Sequence, residues 1–179
     1  NYSLDFNGSS NYVTVASPNL PTGDFTYAAW VYPDALSTTM SIAMAADGSG
    51  GDELLIGTNS SGKLTVDVDG GPDEITSTSS LTAGAWNHIV VTRIGSTITA
   101  YINGLPDATT GSNSTALSFS TCSLLIGVDA DATCVGTLGE YWNGKIDDVQ
   151  IFHYGLTPQQ VRNSMNNGTV SWAPVTGAP

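Results

Sequence analysis

Basic residues are scarce in this sequence of 179 residues, which contains four lysines and arginines against sixteen aspartates and glutamates. The formal net charge of -12 repels nucleic acid and anionic lipid, and the basic patch that polyanion binding requires is missing. No apolar run approaches the roughly 18 residues of a membrane span, so membrane insertion is not expected. We therefore expect no nucleic-acid partner and no membrane insertion.

Motifs for catalysis are also missing. There is no phosphate-cradling glycine motif, and His153 has no serine or cysteine partner in its neighbourhood. His88 lies among apolar residues beside Trp86 and is expected to pack rather than to catalyse. Asp67 and Asp69 alternate as glycosidase carboxylates do, but the Gly-Gly-Pro that follows favours a strand running into a turn. The sequence therefore predicts no enzyme and no catalytic residues.

Cysteine occurs only twice, as Cys122 and Cys134. An even pair in a chain rich in serine, threonine and glycine, with almost no lysine, indicates an oxidising compartment and a disulfide that closes a small loop. Two buried thiols are the alternative, because a free cysteine behaves as a small hydrophobe. We expect the protein to be extracellular or at the cell surface.

Short apolar and β-branched runs separated by turn residues make up most of the chain. Residues 25–32 have the composition of a central strand that stops at Pro33, where we expect Trp30 to lie in the core. Gly95 and Ser96 have the two-residue form of a type II′ hairpin turn between two apolar arms. Residues 108–115 are small and polar, which predicts a loop.

A single helix is predicted near the end of the sequence, with Thr157 as its cap, Pro158 at its first position and Gln160 completing a capping box. Roughly ten to thirteen short strands and this helix favour one antiparallel two-sheet sandwich. The domain is expected to cover residues 1–171, and the prolines and glycine of residues 172–179 indicate a tail or linker.

The stretch 141–152 combines aromatic, carboxylate and β-branched residues. Ile146 has the opposite parity to Val149 and Ile151, so a flat strand cannot turn all three towards one core. A bulge at Asp147 and Asp148 would restore the alternation and re-aim a carboxylate at the sheet margin.

Several stretches occur in the order of one known family. They are residues 4–8, 25–33, 84–92 with 101–104, and 142–152 followed by Gly155-Leu-Thr. Together they resemble the laminin-G-like, concanavalin A-like jelly-roll domains over nearly the whole chain. The resemblance implies a jelly roll of two curved antiparallel sheets, often with a structural calcium, that binds sugars or proteins.

The resemblance also implies where calcium would bind: the turn from Asn7 to Asn11 after the first strand, and Asp148. This chain has asparagine where many relatives have aspartate, and fewer carboxylates weaken a calcium site. The alternatives are that Asp147 and Asp148 cap loop amides, and that Asn7 and Asn11 are simply turn residues.

Three functions are compatible with these features. The first is a carbohydrate-binding or lectin-like module whose glycan contacts come from aromatic and acidic residues, with Tyr141, Tyr154, Asp129 and Asp131 as candidates. The second is a structural or adhesive subunit that binds a cell-surface protein or assembles with itself through exposed strand edges. A glycan-cleaving enzyme is the third, and the missing carboxylates disfavour it.

Overall fold

The computed structural model describes residues 3–16, 18–46, 52–119, 123–130 and 137–165. The predicted disulfide (Cys122, Cys134), the candidate ligand residue Asp131 and the predicted tail lie outside these ranges. In the described parts, two six-stranded antiparallel sheets form a sandwich, which confirms the predicted jelly-roll architecture.

Strands are numbered in chain order, and the sheet that carries the helix is called the front sheet. Its strand order is β1 (Leu4–Asn7), β14 (Asn143–Phe152), β3 (Phe25–Pro33), β8 (Asn87–Ile94), β9 (Thr97–Ile102) and β10 (Leu105–Ser112). The back sheet has the order β2 (Val13–Val15), β11 (Leu124–Ile126), β4 (Met40–Ala46), β5 (Asp52–Thr58), β6 (Lys63–Val68) and β7 (Ile75–Ser80). A small pair, β12 (Asp129–Ala130) and β13 (Leu138–Gly139), and the helix α1 (Pro158–Met165) complete the fold.

The core lies between the inner faces of the two sheets, and alternation along β3 shows how the sequence fills it. Phe25, Tyr27, Ala29 and Val31 belong to the main buried cluster, whereas the residues between them belong to the outer face. Trp142 is completely buried in the same cluster. Trp30, predicted to be a core residue, is instead half-buried on the outer face, where its ring stacks against His88.

The predicted bulge in β14 is confirmed. Its pairing with β3 shifts register between Asp147 and Gln150, and Asp148 has a φ of 49°. As a result Ile146, Val149 and Ile151 all contact the core cluster despite their unequal spacing.

Two segments differ from their predictions. Residues 108–112 of the predicted loop 108–115 belong to the edge strand β10, because Asn103 and Gly104 both have positive φ and reverse the chain in the manner of a type I′ turn. An edge strand that is largely exposed shows no apolar alternation, so its sequence does not reveal it. The alternating residues 2–6 and the run 12–15 also predict a first hairpin across the turn at 7–11, but β1 pairs with β14 in one sheet and β2 with β11 in the other.

The predicted helix start is confirmed. Gln160 Oε1 accepts hydrogen bonds from the backbone N–H and the hydroxyl of Thr157, and the Gln160 N–H donates to Thr157 Oγ1. Leu156 and Val161 are buried together against the outer face of the front sheet, where the cluster also contains Ala28, Val90 and Tyr101. The helix therefore covers the middle of this face.

Asp107 links the edge strands of the two sheets. Its carboxylate accepts hydrogen bonds from the Thr78 N–H (2.9 Å), the Thr78 hydroxyl (2.8 Å), the Ser79 N–H (3.1 Å) and the Thr109 N–H (3.0 Å). Although burial acts in the opposite direction, these hydrogen bonds hold the pKa of Asp107 well below its usual range.

We expect Asp107→Ala to lower the free energy of unfolding by about 2 kcal/mol at pH 7, because charged hydrogen bonds that join β7 and β10 are lost. A carboxyl with a depressed pKa stabilises the fold above its usual pKa and loses this effect as the pH falls. The difference between the two proteins should therefore shrink below about pH 4. Urea denaturation at pH 7 and pH 3 measures it. Asp34→Ala is the control, since Asp34 is exposed and its side chain has no hydrogen bond to the described residues; equal losses in both variants would contradict the role of Asp107.

Candidate functional site

A groove lies on the outer face of the front sheet, between the end of β14 and helix α1. Its volume is about 470 Å³, and we call it the helix groove. Two aromatic rings, Phe152 and Tyr154, meet there edge to face at 5.6 Å between centroids, and Tyr154 is 52% exposed. The lining residues are Gln150, Phe152, Tyr154, Leu156, Gln160, Asn163 and Ser164.

The chain fixes this groove by hydrogen bonds around one threonine. The Thr26 hydroxyl donates to the carbonyl of Tyr154 (2.8 Å) and accepts from the N–H of Leu156 (2.9 Å). This threonine is fully buried on β3, so it holds the turn between β14 and α1 against the sheet. The Tyr154 side chain is thereby presented from a fixed backbone.

The polar side-chain groups of the described lining residues are three amides and the hydroxyls of Tyr154 and Ser164. Gln160 uses its Oε1 in the helix cap and Asn163 uses its Oδ1 to accept from Gln159, while their amide NH₂ groups have no partner among the described residues. The Gln150 side chain likewise makes no hydrogen bond within the described ranges. Since none of the described lining residues is charged, these residues can offer aromatic contact together with neutral hydrogen-bond donors and acceptors.

The structure places Tyr141 and Asp129 on a different surface from Tyr154. Tyr141 is half-buried against an apolar cluster on the outer face of the back sheet that includes Met44 and Leu125. Near it, burial raises the pKa of Glu140, and the negative charges of Asp129 and Asp73 raise it further. The candidate ligand residues within the described ranges therefore divide between two faces of the sandwich.

The predicted calcium ligands are not brought together. Asn7 pairs with Asn143, five residues before Asp148, which corresponds to roughly 16 Å along the strand. The Asn7 Oδ1 accepts backbone hydrogen bonds from Ser9, Ser10 and Asn11 at 2.9 to 3.1 Å, as in a turn. Asp148 is exposed at the bulge, and its N–H donates to Asp147 Oδ1.

These positions do not fit a single ion bound by Asn7, Asn11 and Asp148. Across the described ranges, no group of three or more histidine, cysteine, aspartate or glutamate side chains is arranged to hold a metal. Calcium binding by the protein stays a prediction.

The candidate catalytic groups considered in the sequence have structural roles. Asp67 is buried in β6 and accepts a hydrogen bond from the Gly71 N–H, whereas Asp69 lies in the following turn with a φ of 76°. His88 is 2% exposed and packs against Trp30 with ring centroids 5.1 Å apart. The prediction that His88 packs is confirmed, and Asp67 and Asp69 follow the predicted strand and turn.

Among the described residues that line the helix groove, Tyr154 is the one predicted from the sequence to contact a ligand. Gln150, Phe152 and Tyr154 alternate in the sequence after the bulge, and this parity was the signal that could have placed all three on one outer face. The contributions of Gln160, Asn163 and Ser164 depend on where α1 docks, which the local pattern does not reveal.

Family membership follows from a match that covers most of the chain. The family model of the concanavalin A-like lectin/glucanases superfamily matches residues 7–162. The chain belongs to this superfamily. Its laminin-G-like jelly roll includes β14, the turn after it and most of α1, so the matched region contains Gln150, Phe152, Tyr154, Leu156 and Gln160 of the helix groove. Among curated proteins, none matches the sequence.

Solved structures of the same architecture include a heptameric SAP-like pentraxin from Limulus polyphemus, with a TM-score of 0.73 and 22% identity over 90% of this chain and 80% of that one. Domain 4 of the extracellular arabinanase AbnA from Geobacillus stearothermophilus, solved with arabinotriose, has a TM-score of 0.71 and 20% identity over 90% of this chain and 75% of that one. A putative carbohydrate binding protein from Bacteroides ovatus has a TM-score of 0.68 and 19% identity over 89% of this chain and 45% of that one. At these identities the likeness shows the fold.

No helix within the described ranges is long and apolar enough to cross a membrane.

Proposed function

We propose that this protein is a non-catalytic carbohydrate-binding module that acts outside the cell or at its surface and binds a glycan in the helix groove. The observation that carries the proposal is the half-exposed Tyr154, which is held beside Phe152 in a groove whose polar groups are uncharged. Aromatic faces pack against the C–H faces of sugar rings, and neutral amides pair with hydroxyl groups.

The fold relatives support a sugar ligand. One similar structure is an arabinanase domain in complex with arabinotriose, and another is a putative carbohydrate binding protein. The superfamily itself is described by its lectins and glucanases. These relatives favour a glycan over other small ligands for a groove of this composition.

Binding without catalysis is proposed because of the chemistry of the groove. Glycoside hydrolysis generally requires two carboxyl groups that flank the scissile bond, and none of the lining residues that the structure describes carries one. Asp67 and Asp69, the alternating pair in the sequence, occupy a strand and a turn of the back sheet.

The test is a glycan array followed by calorimetric titration of the best neutral oligosaccharide. We expect Tyr154→Ala to weaken its binding at least about tenfold, since removing a central aromatic contact costs more than about 1.4 kcal/mol. Tyr12→Ala is the matched control, because Tyr12 is 42% exposed but does not line the groove. Each titration is run with calcium and with a chelator, so that it also tests the predicted calcium.

The possible results of these titrations test sugar binding, the location of the site and the role of calcium separately. Failure to bind any sugar at any calcium concentration would contradict the module, and equal losses in the two tyrosine variants would contradict the groove as its site. Binding that vanishes in chelator would support calcium, whereas binding and melting temperature that are unchanged in chelator would contradict it.

A second candidate function, assembly through protein contacts, is favoured by exposed apolar side chains on the short edge strands. Leu4 on β1 is 56% exposed and Val15 on β2 is 38% exposed. One fold relative, the Limulus pentraxin, is heptameric. Light scattering over a wide concentration range tests this alternative, and a strictly monomeric chain at every concentration would count against it.

A further inference from the structure

A second aromatic surface lies on the same outer face of the front sheet as the helix groove. Tyr32 of β3 and Trp86, the residue before β8, meet edge to face at 5.6 Å between ring centroids. Lys145 Nζ lies 5.1 Å from the centroid of the Tyr32 ring, and Trp86 is 39% exposed. We call these three residues the aromatic platform.

The platform and the groove are joined by one row of outward side chains. On β14, Lys145 pairs with Tyr32, Asp147 with Trp30, and Gln150 with Ala28, before the strand reaches Phe152. Six residue steps of β3 separate Tyr32 from the partner of Phe152, which corresponds to about 20 Å. The row from Lys145 to Phe152 therefore forms a track with aromatic rings at both ends.

Charge along the track indicates the class of ligand. Asp147 and the exposed Asp148 lie between its ends. Lys145, the one lysine or arginine within β14, is already engaged with the Tyr32 ring and lies 3.9 Å from Asp5 Oδ2. The whole chain has a net charge of -12. A uronic or sialic acid chain would be repelled here, whereas the carboxylates can accept hydrogen bonds from neutral hydroxyl groups.

We propose that the ligand is an extended neutral glycan chain that runs along β14 from the helix groove to the aromatic platform. This inference rests on the proposed function, because it adds subsites to the groove. The terminal rings stack on sugars at the two ends, and Trp30, Asp147 and Gln150 contact the sugars between them. The platform thus selects long, uncharged chains over single terminal sugars.

The experiment compares calorimetric binding of arabino-, xylo- and cello-oligosaccharides of two to six sugars, with oligogalacturonate and oligosialic acid as charged probes. For the series that binds, we expect affinity to rise at least about tenfold between the short and long members. Trp86→Ala should abolish this gain with chain length. Trp86→Phe should retain part of it, because a stacking ring remains.

Tyr12→Ala again serves as the exposed aromatic control, and unchanged circular dichroism of Trp86→Ala shows that the fold is intact. A gain with length that persists in Trp86→Ala, or an equal preference for the acidic chains, would overturn the track while leaving the sugar-binding function intact. Binding of the short oligosaccharides without any gain in affinity for longer ones would also overturn the track and leave the sugar-binding function intact. Absence of binding in every series would overturn the track and the proposed function together.

Discussion

Replacing Gly144 by alanine should lower the free energy of unfolding by more than about 3 kcal/mol, the largest effect of any single methyl addition that we expect in this fold. Gly144 belongs to β14, which lies between β1 and β3 in the front sheet. It pairs with Phe6 on β1 and with Pro33 on β3. An added Cβ would overlap the carbonyl oxygen of Tyr32 and approach the Asp34 nitrogen to 2.9 Å. Both contacts are backbone, so no side-chain rotation relieves them.

The backbone of Gly144 adds a second cost. Its φ of 132° lies in a region that L-residues with a Cβ rarely adopt. Because Tyr32 belongs to the aromatic platform, any displacement of its carbonyl also disturbs the far end of the track. Gly144→Ala should therefore lose stability and long-chain glycan binding together.

Urea denaturation of Gly144→Ala measures the loss, with Gly139→Ala as the matched control. Gly139 also lies in a strand, but a Cβ there would meet no atom within 4 Å and its φ is not positive. We expect the control to change the midpoint little. If both variants unfold at the same urea concentration as the parent protein, the close approach of β14 and β3 is wrong.

Features set by neighbouring residues were predictable from the sequence. The capping box of Thr157 and Gln160, the turn at Gly95 and Ser96, and the bulge at Asp148 depend on residue types within a few positions. The parity of the apolar residues indicates the bulge, because Val149 and Ile151 have to reach the core that Ile146 already occupies. In each of these cases the residue types within a few positions are compatible with only one local backbone conformation.

Features set by distant pairing were not predictable in the same way. Asn7 and Asp148 belong to adjacent strands, but only the register of β1 against β14 shows that they are far apart. Trp30 is of a residue type that is common in cores, yet the alternation of side chains along β3 places it on the outer face beside His88. The helix groove likewise forms only when α1 packs back over the front sheet.

His88 gives the second large effect, a loss of stability in mild acid. Burial lowers the pKa of His88 from 6.5 to about 4, while the negative charge of Asp148 acts in the opposite direction. The unfolded chain takes up a proton near pH 6.5, but the folded chain resists it until about pH 4. Stability is therefore full above pH 6.5 and falls as the pH decreases towards 4, by up to about 3 kcal/mol.

His88→Phe isolates this contribution. Nδ1 of His88 is buried without a hydrogen-bond partner among the described residues, so phenylalanine removes the titration while keeping a ring against Trp30. Urea denaturation of both proteins is measured between pH 7.5 and 4. The difference between their free energies of unfolding removes the contribution of the carboxyl groups that both proteins share. We expect the parent to lose up to about 3 kcal/mol more than the variant over this range.

Asp148→Asn should have the opposite effect to His88→Phe, because it should increase the loss of stability in acid. Removing the carboxylate removes a charge that favours the imidazolium, so the pKa of His88 should fall further and the acid-induced loss should deepen. Proton NMR of the His88 ring follows the pKa directly in both proteins. A ring that titrates near 6.5 would contradict its burial, whereas the expected shift means that protonation in acid disfavours the folded state in which His88 is buried beside Trp30, an aromatic residue of the proposed glycan track.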